Sequence, residues 1–124
     1  ADGSLIQSVT FSANTEISII GNWQLDEIYE NGSLYSSGSQ IKDRYSTEYF
    51  NNNTYTKTWF SDPEEGVNGT WSISNDQETL NIVNHKGTSE TYGISLLTND
   101  ELHLTSSFTK DNITTTYKEV YSKK

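Results

Sequence analysis

The stretch of sequence that decides the fold class is residues 94–104, which read Ile94-Ser95-Leu96-Leu97-Thr98-Asn99-Asp100-Glu101-Leu102-His103-Leu104. Apolar and polar side chains largely alternate on both sides of a central Asn-Asp pair, which is the pattern of two half-buried strands joined by a turn. Pairing the strands around residues 98–100 places Leu96 opposite Leu102 and Ile94 opposite Leu104. The stretch therefore predicts an antiparallel hairpin that turns one apolar face toward a core.

Segments of this kind recur along the whole chain. The predicted strands cover residues 22–29, 44–50, 54–60, 69–74, 79–83, 88–97, 101–109 and 113–121. No segment of about 10–15 residues has a helical period, so the chain has nothing from which to build the crossovers of a parallel sheet. Closing sequential antiparallel strands into a ring removes the exposed edges of an open sheet. The predicted fold class is all-β, an eight-stranded antiparallel up-and-down barrel with a short N-terminal lead-in segment.

The chain divides into this lead-in segment and one domain. Its 124 residues leave room for a single hydrophobic core. Residues 1–16 alternate only weakly before they turn polar, and we expect them to be a linker or a remnant of expression. Residues 17–124 are expected to form the barrel domain.

The predicted hairpins agree on which face of each strand is buried. The opposed pairs are Phe50–Tyr55, Glu48–Lys57, Ser46–Trp59 and Leu80–Tyr92. The shared inner face consists of Trp23, Leu25, Phe50, Tyr55, Trp59, Trp71, Ile73, Leu80, Ile82, Tyr92, Ile94, Leu96, Leu102 and Leu104. Because a slip of one residue would turn a whole strand's apolar set outward, this agreement indicates one enclosed core.

Charge and composition exclude several classes of function. The formal net charge is −9, from 8 Lys+Arg and 17 Asp+Glu, and this charge disfavours binding to nucleic acids and to anionic membranes. The chain has no Cys, so it can form no disulfide, zinc-thiolate site or cysteine nucleophile. It has no motif of a serine hydrolase, a phosphate loop or a dinucleotide site, and His85 and His103 lie on separate elements. We therefore expect no enzymatic activity, no metal and no cofactor.

The first predicted strand opens on Gly21-Asn22-Trp23, the Gly-x-Trp signature of the lipocalins. The other stretches that fit are Tyr49-Phe50-Asn51-Asn52-Asn53-Thr54-Tyr55-Thr56, Gly69-Thr70-Trp71-Ser72-Ile73, Thr79-Leu80-Asn81-Ile82 and Leu96-Leu97-Thr98-Asn99-Asp100-Glu101-Leu102. From about residue 21 to residue 121 the chain resembles the lipocalin-like domain family of small exported or lipid-anchored proteins of Bacteroidetes.

This resemblance implies a lipocalin-like barrel in an extracytoplasmic protein, located in the periplasm, on the outer-membrane surface or outside the cell. It also implies export or a lipid anchor through a cysteine upstream of residue 1. Lipocalins tend to place an Arg of the last strand against the signature Trp, and the last predicted strand of this chain offers only Lys118. We expect the protein to be a monomer.

Two functional hypotheses follow. In the first, the protein is a non-enzymatic binding protein that holds a small apolar or amphipathic molecule inside the barrel. The predicted ligand-binding residues are Glu48, Phe50, Tyr55, Lys57, Trp59, Trp71 and Tyr92. Glu48 and Lys57 are either a solvent-exposed cross-strand pair or a polar anchor inside the cavity. In the alternative hypothesis, the barrel is solid and the protein is a cell-surface interaction or adhesion module. It would then bind protein or glycan through its loops or through an outer face that includes Tyr45, Tyr49 and Phe60.

Overall fold

The computed structural model describes residues 18–64 and 66–124, which form nine strands. The strands are β1 (Gly21–Glu30), β2 (Ser33–Ser37), β3 (Tyr45–Tyr49), β4 (Thr54–Trp59), β5 (Gly66–Ile73), β6 (Thr79–Asn84), β7 (Ser89–Leu97), β8 (Glu101–Lys110) and β9 (Ile113–Lys123). One turn of 3-10 helix, Gly38–Gln40, follows β2. The lead-in segment predicted for residues 1–16 lies outside the described residues.

The strands close into a barrel. From β3 to β9 each strand pairs with the next, β3 pairs with the first half of β1, and β9 pairs with β1 on its other side. Strands β1 and β3–β9 thus form an eight-stranded antiparallel barrel, which confirms the predicted fold class. Within the two described ranges the 3-10 turn is the only helix, and no helix there is long and apolar enough to cross a membrane.

Strand β2 lies between the first two predicted strands, in residues that the sequence analysis assigns to no strand. Asn31 and Gly32 adopt positive φ angles of 50° and 86°, the combination that a tight hairpin turn requires. The Asn31 N–H donates to the Thr116 carbonyl at 2.8 Å, and its side-chain oxygen accepts from the Thr116 N–H at 2.9 Å. The turn is thereby fixed to β9, and the chain returns along the second half of β1 as β2.

The predicted register of β3 against β4 is wrong by one residue. The observed opposed pairs are Tyr45–Trp59, Ser46–Thr58, Thr47–Lys57, Glu48–Thr56 and Tyr49–Tyr55. The cause is the connecting turn. The Phe50 N–H donates to the Thr54 carbonyl at 2.9 Å, and Asn53 adopts a positive φ of 68°. Phe50 therefore belongs to the turn and not to the strand.

This shift exchanges the two faces of β3. Thr47 and Tyr49 are buried, with 4% and 5% of their surface exposed, and Tyr45 packs against the core from the same face. By alternation Glu48 lies on the outer face, and Phe50 is 37% exposed. The expectations that Phe50 lies in the core and that Tyr45 and Tyr49 lie on the outer face are therefore wrong.

The predicted register of the β7–β8 hairpin is correct at one residue pair and wrong at the next. Ile94 lies opposite Leu104, as predicted. A bulge between Ile94 and Leu96 then shifts the register, so that Leu97 lies opposite Leu102. Leu96 is 36% exposed as a result, and Leu97 takes its predicted place against the core.

The core fills the inside of the barrel. Its buried apolar residues are Ile19, Trp23, Leu25, Ile41, Tyr49, Tyr55, Leu80, Ile82, Leu102, Leu104 and Tyr121. Leu80 lies opposite Tyr92, as the sequence predicts. Strands β5 and β7 add partly buried side chains that pack against this cluster, so inner positions on every barrel strand face one core.

One end of the barrel is sealed by Trp23. This side chain is fully buried, and its indole N–H donates to the Ile19 carbonyl at 2.7 Å. The Lys123 ammonium lies 4.3 Å from the centroid of a Trp23 ring. The cation against the signature Trp is therefore Lys123, since Lys118 lies over Tyr29 instead, 4.7 Å from its centroid.

Candidate ligand-binding site

The opposite end of the barrel contains a cup of about 180 Å³. It lies on the inner face of four consecutive strands, β4 to β7. The residues that line the cup are Tyr55, Lys57, Trp59, Val67, Ile82, Asn84, Thr88 and Glu90. The β4 residues alternate along one strand, so all three face the same side. Ile82 lies opposite Glu90 in the β6–β7 hairpin, and this pairing places a carboxylate on the inner face.

Below the cup, tyrosine side chains fill the middle of the barrel. The space left among Tyr45, Tyr49, Tyr55, Tyr92 and Tyr121 is only about 10 Å³. A cavity of this size holds one water molecule at most. Among the described residues these tyrosines leave no deep chamber beneath the cup, which is a shallow recess above them.

The floor contains a buried carboxylate, that of Glu119. The Tyr121 hydroxyl donates to its Oε1 at 3.0 Å, and the Tyr45 hydroxyl donates to its Oε2 at 3.2 Å. The two tyrosine hydroxyls are also 2.7 Å apart. Burial raises the pKa of Glu119 above its ordinary value of 4.5, although the Tyr121 hydrogen bond and the charge of Lys57 oppose this shift.

Replacing Glu119 with glutamine is expected to make the stability of the protein less dependent on pH. Because the folded pKa lies above 4.5, the folded state binds this proton more tightly than the unfolded chain does. This tighter proton binding by Glu119 adds to the free energy of unfolding below pH 4.5. The added stability is lost as the pH rises through the pKa that Glu119 has in the folded state. Urea unfolding at a series of pH values should therefore show the parent losing stability relative to Glu119→Gln as the pH rises.

The matched control for this experiment is Glu48→Gln, which removes one carboxylate from the outer face of β3. We expect it to leave the pH dependence of the parent in place. The difference in free energy of unfolding between the parent and Glu119→Gln could instead stay constant with pH, or shift in favour of the parent as the pH rises. Either result would contradict a raised pKa for Glu119 in the floor.

Two side chains of the cup, Lys57 and Glu90, interact directly with tyrosines of this floor. The Lys57 ammonium lies 4.2 Å from the centroid of the Tyr45 ring. The Tyr92 hydroxyl donates to Glu90 Oε1 at 2.7 Å, and burial raises the pKa of Tyr92, with this hydrogen bond adding to the shift. Within the described residues the only ion pair is Arg44–Asp26, so Lys57 has no carboxylate oxygen within 4.0 Å there.

Two further cavities lie away from the cup. One, of about 350 Å³, is at the sealed end and includes Ile19, Trp71 and Ile94. The other, of about 570 Å³, is lined by residues 105–107 of β8 and 116–118 of β9, together with Tyr29 of β1 and Gly32. Lys118 covers the ring of Tyr29 in this groove.

The structure brings four of the seven predicted site residues together. Tyr55, Lys57 and Trp59 line the cup, and Tyr92 lies in the floor beside them. Trp71 lies at the sealed end of the barrel, where its indole N–H donates to the Phe50 carbonyl at 3.0 Å.

Glu48 and Phe50 lie outside the barrel interior, because the register of β3 differs from the predicted one. The predicted pairing of Glu48 with Lys57 is therefore wrong, and Lys57 faces the interior without it. The contact of a ligand with any of the seven residues remains a prediction.

Sequence reasoning missed two carboxylates that matter for the site. Glu90 could have been found, because the pairing of Leu80 with Tyr92 already places Glu90 opposite Ile82 on the inner face. Glu119 gave no such signal, because its partner Tyr45 is 74 residues away in the chain. In the part of the chain that the structure describes, no group of three or more His, Asp or Glu side chains is arranged to hold a metal ion.

Solved structures with similar folds come from bacteria and from an animal. An uncharacterized protein from Bacteroides eggerthii DSM 20697 has a TM-score of 0.60 at 14% identity, covering 86% of this chain and 100% of its own. A lipocalin-like protein from Bacteroides uniformis ATCC 8492 has a TM-score of 0.59 at 13% identity, covering 86% and 98%. Lobster apocrustacyanin A1 has a TM-score of 0.54 at 14% identity, covering 85% and 60%. At these identities the likeness shows a shared fold.

The sequence itself matches a family model. No curated protein is significantly similar to the chain. The model of the lipocalin-like domain, by contrast, matches residues 19–104, which is more than half of the chain and extends from the sealed end of the barrel to strand β8. The chain therefore belongs to the lipocalin-like domain family.

Proposed function

We propose that this protein is a non-enzymatic binding protein that holds a small apolar or amphipathic molecule in the cup. The observation that carries the proposal is the composition of the cup. Trp59 and Val67 supply an apolar wall, and Lys57 and Glu90 supply charged groups at the same recess. Small-molecule sites typically combine a mostly apolar lining with a few polar groups in this way.

The size of the cup limits what it can hold. Sites for drug-sized ligands usually have volumes of about 300–1,000 Å³. The cup, at about 180 Å³, is smaller, and the tyrosine floor closes it from below. The proposal is therefore a small molecule, or the end of a larger one whose remainder stays outside the barrel.

The setting of this activity is also a proposal. The Gly-x-Trp opening and the other stretches quoted above support an extracytoplasmic protein with a lipid anchor or export signal upstream of residue 1. We further propose that it acts as a monomer, since the barrel closes its own sheet through the β9–β1 pairing.

Filling the cup is expected to weaken the binding of a neutral apolar probe. N-phenyl-1-naphthylamine fluoresces strongly when it leaves water, so its titration should show saturable binding to the parent. Val67→Phe should weaken this binding about tenfold or more, because the larger side chain occupies the recess. The matched control is Val83→Phe, at a 39% exposed position on the outer face of β6, which should bind as the parent does.

If Val67→Phe and Val83→Phe lost probe binding equally, or if both bound the probe as the parent does, a binding site in the cup would be contradicted. Absence of any saturable binding by the parent would favour the second candidate function, an interaction module with a solid barrel. The filled middle of the barrel and the groove of about 570 Å³ at Tyr29 and Lys118 are the observations that support this second candidate.

A further inference from the structure

We propose that the cup selects ligands that carry a carboxylate or similar oxyanion, which is held by the hydrogen-bond donors of strand β4. This inference rests on the proposed function and names the chemistry of the ligand. The donors are the Tyr55 hydroxyl, the Lys57 ammonium and the Trp59 indole N–H. They stand on alternate residues of one strand and line the same recess.

These three donors have no protein acceptor among the described residues. The other two tryptophans do have acceptors, because the N–H groups of Trp23 and Trp71 donate to backbone carbonyls at 2.7 and 3.0 Å. The Lys57 ammonium lies over the face of the Tyr45 ring, 4.2 Å from its centroid. Strand β4 therefore presents to the cup three donors whose hydrogen-bonding capacity the protein does not use.

The carboxylates and the Asn84 amide oxygen near the cup, in contrast, each accept at least one hydrogen bond from the protein. The Glu119 carboxylate accepts hydrogen bonds from two tyrosine hydroxyls, at 3.0 and 3.2 Å. Glu90 accepts one from the Tyr92 hydroxyl at 2.7 Å. A ligand oxygen therefore complements the three donors of β4, which have no acceptor among the described residues. Hydrogen bonds between an ammonium and an oxyanion are the stronger kind, so a charged acceptor gains most.

The charge of Glu90 leads to a second expectation about ligand binding. Its carboxylate lines the same recess as Lys57, and it repels an anionic ligand group. Removing this charge should therefore strengthen the binding of an anion, whereas it should weaken the binding of a cation.

Three ligands with the same phenylbutyl carbon skeleton test the proposal: 4-phenylbutyrate, 4-phenylbutanol and 4-phenylbutylammonium. Isothermal titration calorimetry near neutral pH should show the acid binding tightest and the ammonium weakest. Lys57→Met should weaken binding of the acid about tenfold or more and leave the alcohol nearly unchanged. The matched control is Lys86→Met, in the exposed turn between β6 and β7, which should bind all three ligands as the parent does.

Two further variants keep the test decisive if Lys57→Met folds poorly. Trp59→Phe keeps an aromatic ring but removes the N–H. It should weaken binding of the acid severalfold and leave binding of the alcohol unchanged. Glu90→Gln should tighten binding of the acid. Tightest binding by the ammonium, or an unchanged affinity for the acid in both Lys57→Met and Trp59→Phe, would overturn the proposal.

The outcomes also separate this inference from the proposed function. If N-phenyl-1-naphthylamine binds and the acid does not bind more tightly than the alcohol, the inference fails and the binding site in the cup stands. If neither the probe nor any of the three ligands binds, both fail.

Discussion

Replacing Trp23 with alanine is expected to lower the free energy of unfolding by about 3–5 kcal/mol, the usual range for a tryptophan removed from a core. Trp23 is 0% exposed and seals one end of the barrel. The change removes its packing and leaves the Ile19 carbonyl without the donor that now lies 2.7 Å away. It also removes the ring against which Lys123 packs. Urea unfolding of parent and variant measures the loss.

Trp59→Ala is the matched control, because it removes the same side chain from the half-buried wall of the cup. Its loss of stability should be clearly smaller, since a partly exposed side chain contributes less burial. If Trp23→Ala unfolded at the same urea concentration as the parent, or if Trp59→Ala were the more damaged variant, the assignment of Trp23 as the seal would be contradicted.

Replacing Gly69 with alanine is the second change with a large expected effect. Gly69 lies in β5 between Tyr55 on one side and Asn84 on the other. An added Cβ would overlap the carbonyl oxygen of Val83 and lie 2.8 Å from the Cα of Asn84. Backbone atoms cannot swing aside as side-chain ends do, so β5 and β6 would have to separate. We expect a loss of about 1–3 kcal/mol or more in the free energy of unfolding.

Thr70→Ala, at the exposed next position of β5, is the control for Gly69→Ala. It should change the midpoint of thermal unfolding little. A Gly69→Ala protein that melts together with the parent would show that β5 and β6 lie further apart than described.

Sequence reasoning succeeded where apolar residues flank a short turn on both sides. The pairs Leu80–Tyr92 and Ile94–Leu104 are correct because a shift by one residue would expose a whole apolar set. The inner face of β4 was also found. Tyr55 and Trp59 mark that face within the strand itself, so Lys57 was placed correctly even though its predicted partner was wrong.

Sequence reasoning fails where the local pattern does not show which face of a strand is buried. Strand β3 has aromatic residues at Tyr45 and Tyr49, and Phe50 follows directly, so either face can be apolar. The choice was made by the turn, in which Asn53 takes a positive φ of 68° and Phe50 pairs with Thr54. Strand β2 is not predicted for a related reason: its five residues are three serines and the adjacent pair Leu34 and Tyr35, which shows no period.

The floor of the cup was beyond prediction for a different reason. It depends on contacts between residues that are distant in the chain, such as the hydrogen bond from Tyr45 to Glu119, which are 74 residues apart. No local pattern reports such a contact. A buried carboxylate is unfavourable unless other groups stabilise it, and here the two tyrosine hydroxyls do so.

The central claim is that the cup is where this protein binds a ligand. The most direct test is a two-dimensional ¹H–¹⁵N NMR titration with 4-phenylbutyrate that follows the three tryptophan indole N–H signals. Trp59 lines the cup, whereas Trp23 and Trp71 donate to carbonyls elsewhere in the barrel. We expect the Trp59 signal to shift with saturation while the Trp23 and Trp71 signals stay in place. A shift confined to Trp71, or saturable binding that leaves Trp59 unmoved, would contradict the central claim.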